Sequence, residues 1–525
     1  MQTKRVLSLS LSLALAVSGV LLGGAGLTWA DEAAAPAVAI LDLEPTQAVV
    51  GQMVQVTGSG FAPGTTVQLL WETYDGHWEL SRNAQGEYTG TSLGPRFTPS
   101  VRPLGEEVVA DATGRFATRF AVPEDYGGVH NILAVPAAKA QAALTQAGLP
   151  GEAVITQAGL RVLPSVTYAP TTGPVGTLIT ITIKGLNSPH EVEGWYQLLY
   201  DNKLTGSISG VTTRGTAMVT IPATGDVGMH YIDIQNGPFG SPYRALESSP
   251  YAYMPVFRLS FRITPGEPVL PPPPSQQVPA PRRGVEPAGQ GPAIWFDPQE
   301  GAVGTPATLY GKGFAPGAKV SLEIYGQYGS RVTPEGFRPV SQPLLTVTAD
   351  REGRIEQSLS LPDTHGGYHR VGAWVEGKEL ATTGLTIDRT PFSFGPAGST
   401  GDQETGTGAY PRVSQGTLLD LHLKGVGWTE TENIFAIVYD NSFVGYSCGF
   451  STFGDVVTYL TATGGPGWHF IDLYPSFYRN EKYAEAVEAP FLYRFPLLSW
   501  KDHPQPFVLH YAFEIVDEAG TKSKN

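Results

Sequence analysis

The chain has 525 residues, a formal net charge of −14 and a single cysteine. Nucleic acid is excluded as a partner, because a polyanion would meet net repulsion and no basic stripe. One cysteine allows no disulfide within the chain, so each folded unit must depend on its own apolar core. The 63 glycines and 44 prolines favour many short strands joined by tight turns.

Residues 1–30 have the three-part layout of a secretory signal peptide. Lys4 and Arg5 precede an apolar run, and small residues lead to Ala30 before the acidic Asp31. The sequence therefore predicts cleavage after Ala30 and an exported chain, located outside the cell, on its surface or in the periplasm. The alternative is an uncleaved anchor, since the run is long enough to cross a bilayer. No second long apolar run follows, so no stable membrane span is expected after cleavage.

The first repeated motif, Gly-x-Gly-Phe-Ala-Pro-Gly, occupies residues 58–64 and returns at residues 311–317. Alternating apolar and polar residues lie on both sides of each copy, which is typical of strand, turn, strand. The glycines allow the chain to reverse and proline presets the turn, so Phe61 and Phe314 are predicted to fold inward. We call the two units that carry this motif modules A and A′.

Residues 71–105 form a long connection in module A that the second copy has largely lost. The segment is rich in aromatic and polar side chains, and loops on rigid sandwiches commonly carry binding. We therefore predict a binding surface at Tyr74, Trp78 and Tyr88. The alternative is that these rings pin the long connection to the module's core. Further along, the alanine-rich residues 134–153 predict a short surface helix.

A second type of module begins near residue 165, and it is also duplicated. The segment from Trp195 to Asn202 matches that from Phe435 to Asn441, and Gly228-Met-His matches Gly467-Trp-His, at offsets of 239 or 240 residues. The duplicated unit is therefore a pair, and the chain reads A–B, linker, A′–B′. In both copies an Asp-Asn dipeptide follows a strand, which predicts a tight hairpin turn.

The segment between the two pairs is rich in proline and includes four consecutive prolines from Pro271 to Pro274. Such a sequence favours an extended polyproline conformation of about 3.1 Å per residue. We expect a stiff linker that spaces the two pairs apart rather than packing them together.

All four modules open a late strand with Gly-x-His, at His130, His230, His369 and His469. Together with the Gly-Phe-Ala-Pro-Gly turn and the Pro-x5-Gly openings, modules A and A′ resemble bacterial Ig-like domains of the IPT/TIG kind, and B and B′ look like more distant members. The resemblance implies a β-sandwich and carries no catalytic residue. We expect each histidine to pack at a sandwich corner and to hydrogen-bond backbone, because Zn²⁺ needs three or four converging ligands and each module offers one.

The remaining reactive-looking motifs have structural interpretations. Gly445-Tyr-Ser-Cys-Gly449 fits the nucleophile-elbow pattern, but that motif needs a helix after Ser447, and both flanks look like strands. Asp201-Asn202 and Asp440-Asn441 supply too few oxygens for Ca²⁺. Asp233 and Asp472, three residues after a Gly-x-His histidine, point to the opposite face of the strand from it. No catalytic, cofactor-binding or metal-binding residue is predicted.

The sequence thus predicts an all-β chain of tandem Ig-like β-sandwich domains in two A–B pairs joined by a Pro-rich linker. The expected function is non-enzymatic: an exported cell-surface or extracellular interaction protein whose partner is a protein or a glycan. The alternatives are a carbohydrate-binding protein accessory to a hydrolase, a weak hydrolase, or a subunit of a surface layer or filament. The predicted boundaries are a signal peptide at 1–30, domain A at 38–164, domain B at 165–263, the linker at 264–293, domain A′ at 294–388 and domain B′ at 389–517.

Overall fold

The computed structural model describes residues 38–78, 95–145, 154–187, 196–237, 242, 244, 257–329, 337–398, 410–426, 434–449, 452–475, 496–499 and 508–517. Strands dominate these residues, and one α-helix accompanies them. The predicted all-β class is confirmed, as is the short helix in the alanine-rich segment of module A. The predicted signal peptide lies outside the described residues.

Module A has a three-stranded sheet of order β1-β3-β7 and a larger sheet of order β2-β9-β8-β4-β5, to which β6 adds at β4. The elements are β1 (Ile40–Glu44), β2 (Gln47–Val49), β3 (Met53–Ser59), β4 (Thr66–Trp78), β5 (Pro95–Pro103), β6 (Val108–Val109), β7 (Phe116–Ala121), β8 (Gly128–Pro136), α1 (Ala137–Thr145) and β9 (Thr156–Leu163). Phe61 from the repeated turn is buried against Phe116 between the sheets, as predicted.

Module B repeats this plan with sheets β10-β12-β15 and β11-β17-β16-β13-β14-β33. Its strands are β10 (Ser165–Ala169), β11 (Thr172–Gly173), β12 (Leu178–Lys184), β13 (Tyr196–Tyr200), β14 (Lys203–Ile208), β15 (Ala217–Pro222), β16 (Gly228–Asn236) and β17 (Phe257–Ile263). The last strand of the larger sheet, β33 (Leu497–Ser499), comes from module B′ and pairs in parallel with β14.

Module A′ has sheets β18-β20-β23 and β19-β25-β24-β21-β22, and module B′ has sheets β26-β28-β31 and β27-β34-β32-β29-β30. The strands of A′ are β18 (Ala293–Asp297), β19 (Glu300–Ala302), β20 (Pro306–Lys312), β21 (Lys319–Gly329), β22 (Phe337–Thr348), β23 (Ile355–Ser360), β24 (Gly367–Val375) and β25 (Lys378–Asp388). The other strands of B′ are β26 (Thr390–Pro396), β27 (Arg412–Val413), β28 (Leu418–Lys424), β29 (Ile434–Tyr439), β30 (Ser442–Cys448), β31 (Val456–Thr461), β32 (Gly467–Pro475) and β34 (Leu509–Ile515).

The sheets alternate buried and exposed side chains because one face of each strand is turned toward its sandwich interior. In β12, for example, Ile179, Ile181 and Ile183 are buried while the residues between them are partly exposed. Each module therefore has its own apolar core. The core of module B also includes Val438, Tyr474 and Leu498, which belong to module B′.

Modules B and B′ are in direct contact, so the prediction that the linker keeps the two pairs apart is wrong. A Cβ at Gly206 of β14 would lie 2.7 Å from the Cγ of Leu498, so the absence of a side chain lets β33 approach the sheet of B. The turn before β30 adds to the joint, because Asn441 donates a hydrogen bond from Nδ2 to the carbonyl of Pro222 at 2.7 Å.

The linker lies along this joint rather than spanning a gap. The amide of Val269 donates to the carbonyl of Val175 in module B at 2.9 Å. Farther along, the side chain of Gln277 bonds both backbone groups of His510 on β34 of module B′. Proline lacks an amide proton but keeps its carbonyl. The proline carbonyls therefore accept hydrogen bonds from neighbouring groups. The carbonyl of Pro271, for example, accepts one from the hydroxyl of Tyr410.

Candidate binding surface on the hairpin of module A

The candidate surface is the hairpin formed by β4 and β5, which extends past the rest of its sheet. Strand β4 pairs with β8 as far as Trp71, and from Glu72 to Trp78 it pairs with β5 alone. The outer half of the hairpin is therefore a two-stranded ribbon. An isolated two-stranded ribbon is marginally stable in water, so this one needs support from other elements.

Trp71 anchors the base of the hairpin inside module A. Its ring is fully buried and stacks on the imidazole of His130, with ring centroids 4.6 Å apart. The indole nitrogen donates a 2.8 Å hydrogen bond to Oδ2 of Asp125, and Oδ1 of that carboxylate accepts the amide of Tyr126. Both oxygens of the buried Asp125 are thereby satisfied, as burial of a carboxylate requires.

The three predicted binding residues have different positions in the hairpin. Tyr74 is half-buried, and its ring contacts the edge of Phe97 on β5, with centroids 6.4 Å apart. Burial, with a smaller effect from Glu72, raises the pKa of Tyr74. The backbone of Trp78 pairs with Pro95 at the end of the ribbon. Tyr88 lies outside the described residues, so the grouping of the three residues as a binding surface stays a prediction.

The middle of the ribbon is held by the next module along the chain. The amide of Gly76 donates to the Tyr126 hydroxyl at 3.0 Å, and that hydroxyl donates to the carbonyl of Val211 in module B at 2.6 Å. Burial raises the pKa of Tyr126, so the phenol keeps its proton and can donate. Asp75 pairs with Arg214 of module B. The ribbon is thus part of the joint between modules A and B.

Sequence reasoning missed Tyr126 and Arg214. Neither lies in the aromatic segment, and their partners are 85 and 139 residues distant in the chain. The repeat places His365 and Phe453 at the equivalent positions of the second pair. Arg214 and Phe453 both have a φ of 53°, so the two joints share this backbone geometry. In that pair the His365 and Phe453 rings lie 5.1 Å apart, so the second joint is made by ring contact instead.

Each of the four Gly-x-His histidines hydrogen-bonds a backbone carbonyl, as predicted. His130 contacts the backbone carbonyls of Glu72 and Tyr126, and His369 those of Tyr325 and His365. In modules B and B′ one ring nitrogen faces a carbonyl and the other faces a carboxylate of the Asp-Asn turn, Asp201 or Asp440, at 2.6 Å. The turns themselves have the positive φ angles expected of a tight hairpin.

The aspartates three residues after these histidines do not pair with them, again as predicted. Asp472 instead pairs with His510 on the neighbouring strand, at 2.7 Å. Strand alternation correctly excluded Asp472 as the partner of His469. It could not identify Asp440, which lies 29 residues before His469 in the chain.

Carboxylate pairing makes the stability of module B′ depend on pH. Burial opposes protonation of His469, but the hydrogen bond and charge of Asp440 outweigh it and hold the pKa of His469 above its ordinary value of 6.5. A histidine whose pKa is higher in the folded state than in the unfolded state contributes its full stabilisation at pH values below the unfolded-state pKa. This stabilisation is lost as pH rises through the folded-state pKa. In module A′ burial lowers the pKa of His369, so its effect has the opposite sign and stability is lost as pH falls below 6.5.

We therefore expect His469→Asn to lower the free energy of unfolding most in acid. The difference from the parent chain should shrink as pH rises from about 5 to about 9, because only protonated His469 carries the charge that attracts Asp440 and can donate from both ring nitrogens. Urea unfolding across this range measures it, and His369→Asn is the matched control, with the opposite trend. A His469→Asn difference that does not change with pH would contradict the assigned ion pair.

The strand interpretation of the Gly-x-Ser-x-Gly motif is confirmed. Ser447 lies within β30, opposite Phe435 on β29, and a turn and strand β31 follow among the described residues. Within the described part of the chain, no group of three histidine, cysteine or acidic residues is placed to hold a metal ion. No helix among the same residues is long and apolar enough to cross a membrane.

No protein-family model and no curated protein matches the chain. Several solved structures are similar to it. A mutant of Salmonella alpha-2-macroglobulin is 11% identical, with 92% of this chain and 31% of that chain covered and a TM-score of 0.17. A tetra-tandem repeat from the extending region of a large adhesion protein is 11% identical, with coverages of 91% and 98% and a TM-score of 0.18. The Escherichia coli adhesin FdeC is 14% identical, with coverages of 67% and 98% and a TM-score of 0.14.

This chain spans less than a third of the length of the macroglobulin that it matches. At TM-scores of 0.14 to 0.18 these similarities carry no argument about function. The class of the protein rests on its own sheets: it is a tandem array of Ig-like β-sandwiches.

Proposed function

We propose that this protein is a non-enzymatic interaction protein, exported and retained at the cell surface or released outside it. The sequence supports export through the signal-peptide layout of residues 1–30. The Gly-Phe-Ala-Pro-Gly turns support the finer assignment of modules A and A′ to the IPT/TIG kind, with domain boundaries at 164, 263, 293 and 388. In this proposal the modules are a scaffold, and binding belongs to surfaces that the scaffold holds in place.

The observation that carries the proposal is the use of polar side chains at the joints between modules. Asp75, Tyr126 and Arg214 join A to B, and Asn441 joins B′ to B. Groups of this kind, buried or paired within joints, are committed to fixing one module against the next. Fixed joints between modules hold the outer surfaces of the chain at set positions, and this arrangement suits binding to a partner.

We propose the outer half of the β4–β5 hairpin as one such surface, with Tyr74, Trp78 and Tyr88 as contact residues. The joint with module B supports this, because a braced ribbon loses little conformational entropy when it binds. Tyrosine and tryptophan provide large contact areas with few rotatable bonds. Because modules B and B′ are in contact, the two pairs are joined rather than held apart, and the array presents this hairpin at one position.

Beads coated with the mature chain test this proposal. They are allowed to settle on films of extracellular-matrix protein and of polysaccharides, and retention is measured under flow. We expect retention on at least one film and a drop of about tenfold for Trp78→Ala/Tyr88→Ala, since aromatic anchors dominate binding energy. The matched control is Tyr459→Ala, an exposed tyrosine on β31. Retention on a polysaccharide film alone would favour the carbohydrate-binding alternative, and retention on none would contradict the assignment.

The enzymatic alternative is tested separately. A panel of chromogenic esters is incubated with the parent chain and with Ser447→Ala. We expect no turnover above background from either protein, because β30 offers Ser447 no strained turn of the kind that a nucleophile elbow needs. Turnover that disappears in Ser447→Ala would overturn the non-enzymatic assignment.

A further inference from the structure

One face of module B is exposed, whereas part of its repeat counterpart in module B′ is covered. On β16 and just before it, Val227, Met229 and Tyr231 alternate along one side of the strand and are 62%, 39% and 61% exposed. Arg258 lies beside them on β17, near Asp233 across the strand pair. We call these four residues, Val227, Met229, Tyr231 and Arg258, the B corner face. A group of apolar side chains exposed together marks an interaction surface more often than scattered ones do.

Strand register gives the equivalent residues of module B′. Met229 and Tyr231 are one residue before and one after His230, as Trp468 and Phe470 are around His469. Asp233 is opposite Arg258, and Asp472 is opposite His510. The B corner face therefore corresponds to a surface of B′ that includes Trp468, Phe470 and His510.

The B′ surface is partly covered, by module B at Phe470 and by the Pro-rich linker near Trp468 and His510. Phe470 is 3% exposed, and a Cβ at Gly176 of module B would meet both its ring and the carbonyl of Val269 in the linker. The Trp468 ring contacts Tyr410, whose hydroxyl bonds the carbonyl of Pro271. The linker therefore passes beside the residues of B′ that correspond to Met229, Tyr231 and Arg258 of B.

The contacts define the chemistry that this surface accepts. Pro273 has φ −51° and ψ 144°, which is the polyproline conformation. The Gln277 side chain donates to the His510 carbonyl at 2.7 Å and accepts the His510 amide at 2.8 Å, as a neighbouring strand would. A 3₁₀ turn from Pro274 to Gln276 follows, so the segment is a polyproline stretch that ends in a turn just before Gln277. Proline fixes φ before binding, so such a stretch loses little entropy on an aromatic surface.

Module B retains the features needed to bind a segment of this kind. β11 covers the outer edge of β17 at Arg262 and Ile263, and among the described residues no strand continues that cover to Arg258. The register that turns the His510 backbone outward in B′ does the same for Arg258 in B. Tyr231 and Met229 supply the apolar surface next to it.

We propose that the B corner face binds a proline-rich segment of a partner protein, in which a polyproline stretch is followed by a turn and a glutamine that bonds the backbone of Arg258. The occupant is a separate partner rather than the chain's own linker, because Gln277 and Pro271 are already bound at B′. This site is independent of the hairpin of module A.

The test uses a labelled synthetic peptide with the sequence of residues 268–279, PVLPPPPSQQVP, and the full mature chain. Fluorescence anisotropy should show saturable binding of this peptide. The binding reports on module B, because the chain's own linker is tethered at an effective concentration of about millimolar and a dilute peptide cannot displace it from B′. Tyr231→Ala should weaken binding about tenfold, as expected for loss of a central aromatic anchor. A peptide with leucine in place of the second glutamine should also bind more weakly, while Tyr459→Ala, 60% exposed on β31, should bind as the parent does.

Absence of saturable binding would overturn the proposal, and so would binding that Tyr231→Ala leaves unchanged, since the peptide would then bind elsewhere. Sedimentation of the parent chain without peptide tests whether the linker of a second copy occupies the B corner face. A concentration-dependent dimer that Tyr231→Ala abolishes would assign the face to the linker of a second copy and overturn the separate partner. A chain that remains monomeric and binds the peptide at Tyr231 supports the proposal.

Discussion

Replacing Asn441 with alanine is expected to lower the free energy of unfolding by about 3 kcal/mol, which is large for one polar residue. Asn441 is 1% exposed, with a φ of 57°, in the turn that enters module B. Its Nδ2 donates to the carbonyl of Pro222 at 2.7 Å and to the hydroxyl of Thr224 at 3.0 Å. Alanine leaves that carbonyl buried without this donor, and it adds left-handed strain that asparagine tolerates, each about 1 to 2 kcal/mol.

Part of this loss is offset, because Oδ1 of Asn441 is buried without a hydrogen-bond partner and its removal is favourable. The matched control is Asn202→Ala at the equivalent turn of module B, where φ is 68° and the side chain faces Arg244 on the surface. It keeps the strain and loses only a surface contact, so we expect about 1 kcal/mol. Urea unfolding monitored by hydrogen exchange at β14 and β30 measures both, and equal effects would contradict a buried joint at Asn441.

The joint at Asn441 is asymmetric, although the two modules that it connects are repeats. Thr205 of module B donates to the carbonyl of Asn441 at 2.6 Å, while Val444, at the equivalent position in B′, is exposed. Strand β33 likewise passes from B′ to B, and its Ser499 hydroxyl accepts the amide of Met218. The two sandwiches are therefore similar, but they contribute different groups to the joint between them.

The fold was predictable from sequence because its signals are local or repeated. Alternation along Ile179, Ile181 and Ile183 marks a half-buried strand, and the Asp-Asn pairs mark hairpins. The strand-like residues on both sides of Ser447 correctly indicated a strand at the Gly-x-Ser-x-Gly motif. Each of these inferences needs only a dozen residues or a comparison of two copies.

The joints were not predictable from sequence, since they depend on contacts between distant residues. Asn441 has the sequence signature of any hairpin turn, and nothing local shows that it is inserted into another module. A Pro-rich segment was expected to be a spacer because its conformation is local, whereas its packing depends on surfaces such as Val175 and His510 that lie far away in the chain. Propensity fixes the shape of a segment, while its contacts are decided by tertiary burial.

Replacing Tyr126 with phenylalanine is expected to loosen the candidate binding hairpin while leaving the core of module A intact. The hydroxyl accepts from Gly76 of the ribbon at 3.0 Å and donates to Val211 of module B at 2.6 Å, and the ring packs edge-on to Phe97 at 5.2 Å. Phenylalanine keeps the ring but leaves a buried carbonyl and an amide unpaired, a loss of about 2 to 3 kcal/mol. Because the ribbon is supported at this point, the loss should appear as local opening of the hairpin rather than as global unfolding.

Hydrogen exchange separates these outcomes. In Tyr126→Phe the amide of Gly76 should exchange about 30- to 100-fold faster, which corresponds to this loss, while the amides of β3 and β7 should keep their parental rates. The matched control is Tyr200→Phe, whose hydroxyl bonds the backbone of Thr224 within module B and should leave Gly76 unaffected. Unchanged exchange at Gly76 would show that Trp71 and the Asp75–Arg214 pair hold the ribbon without the phenol. Any binding that depends on the hairpin should weaken with its opening, because a ribbon that must first be ordered loses part of its interaction energy to conformational entropy.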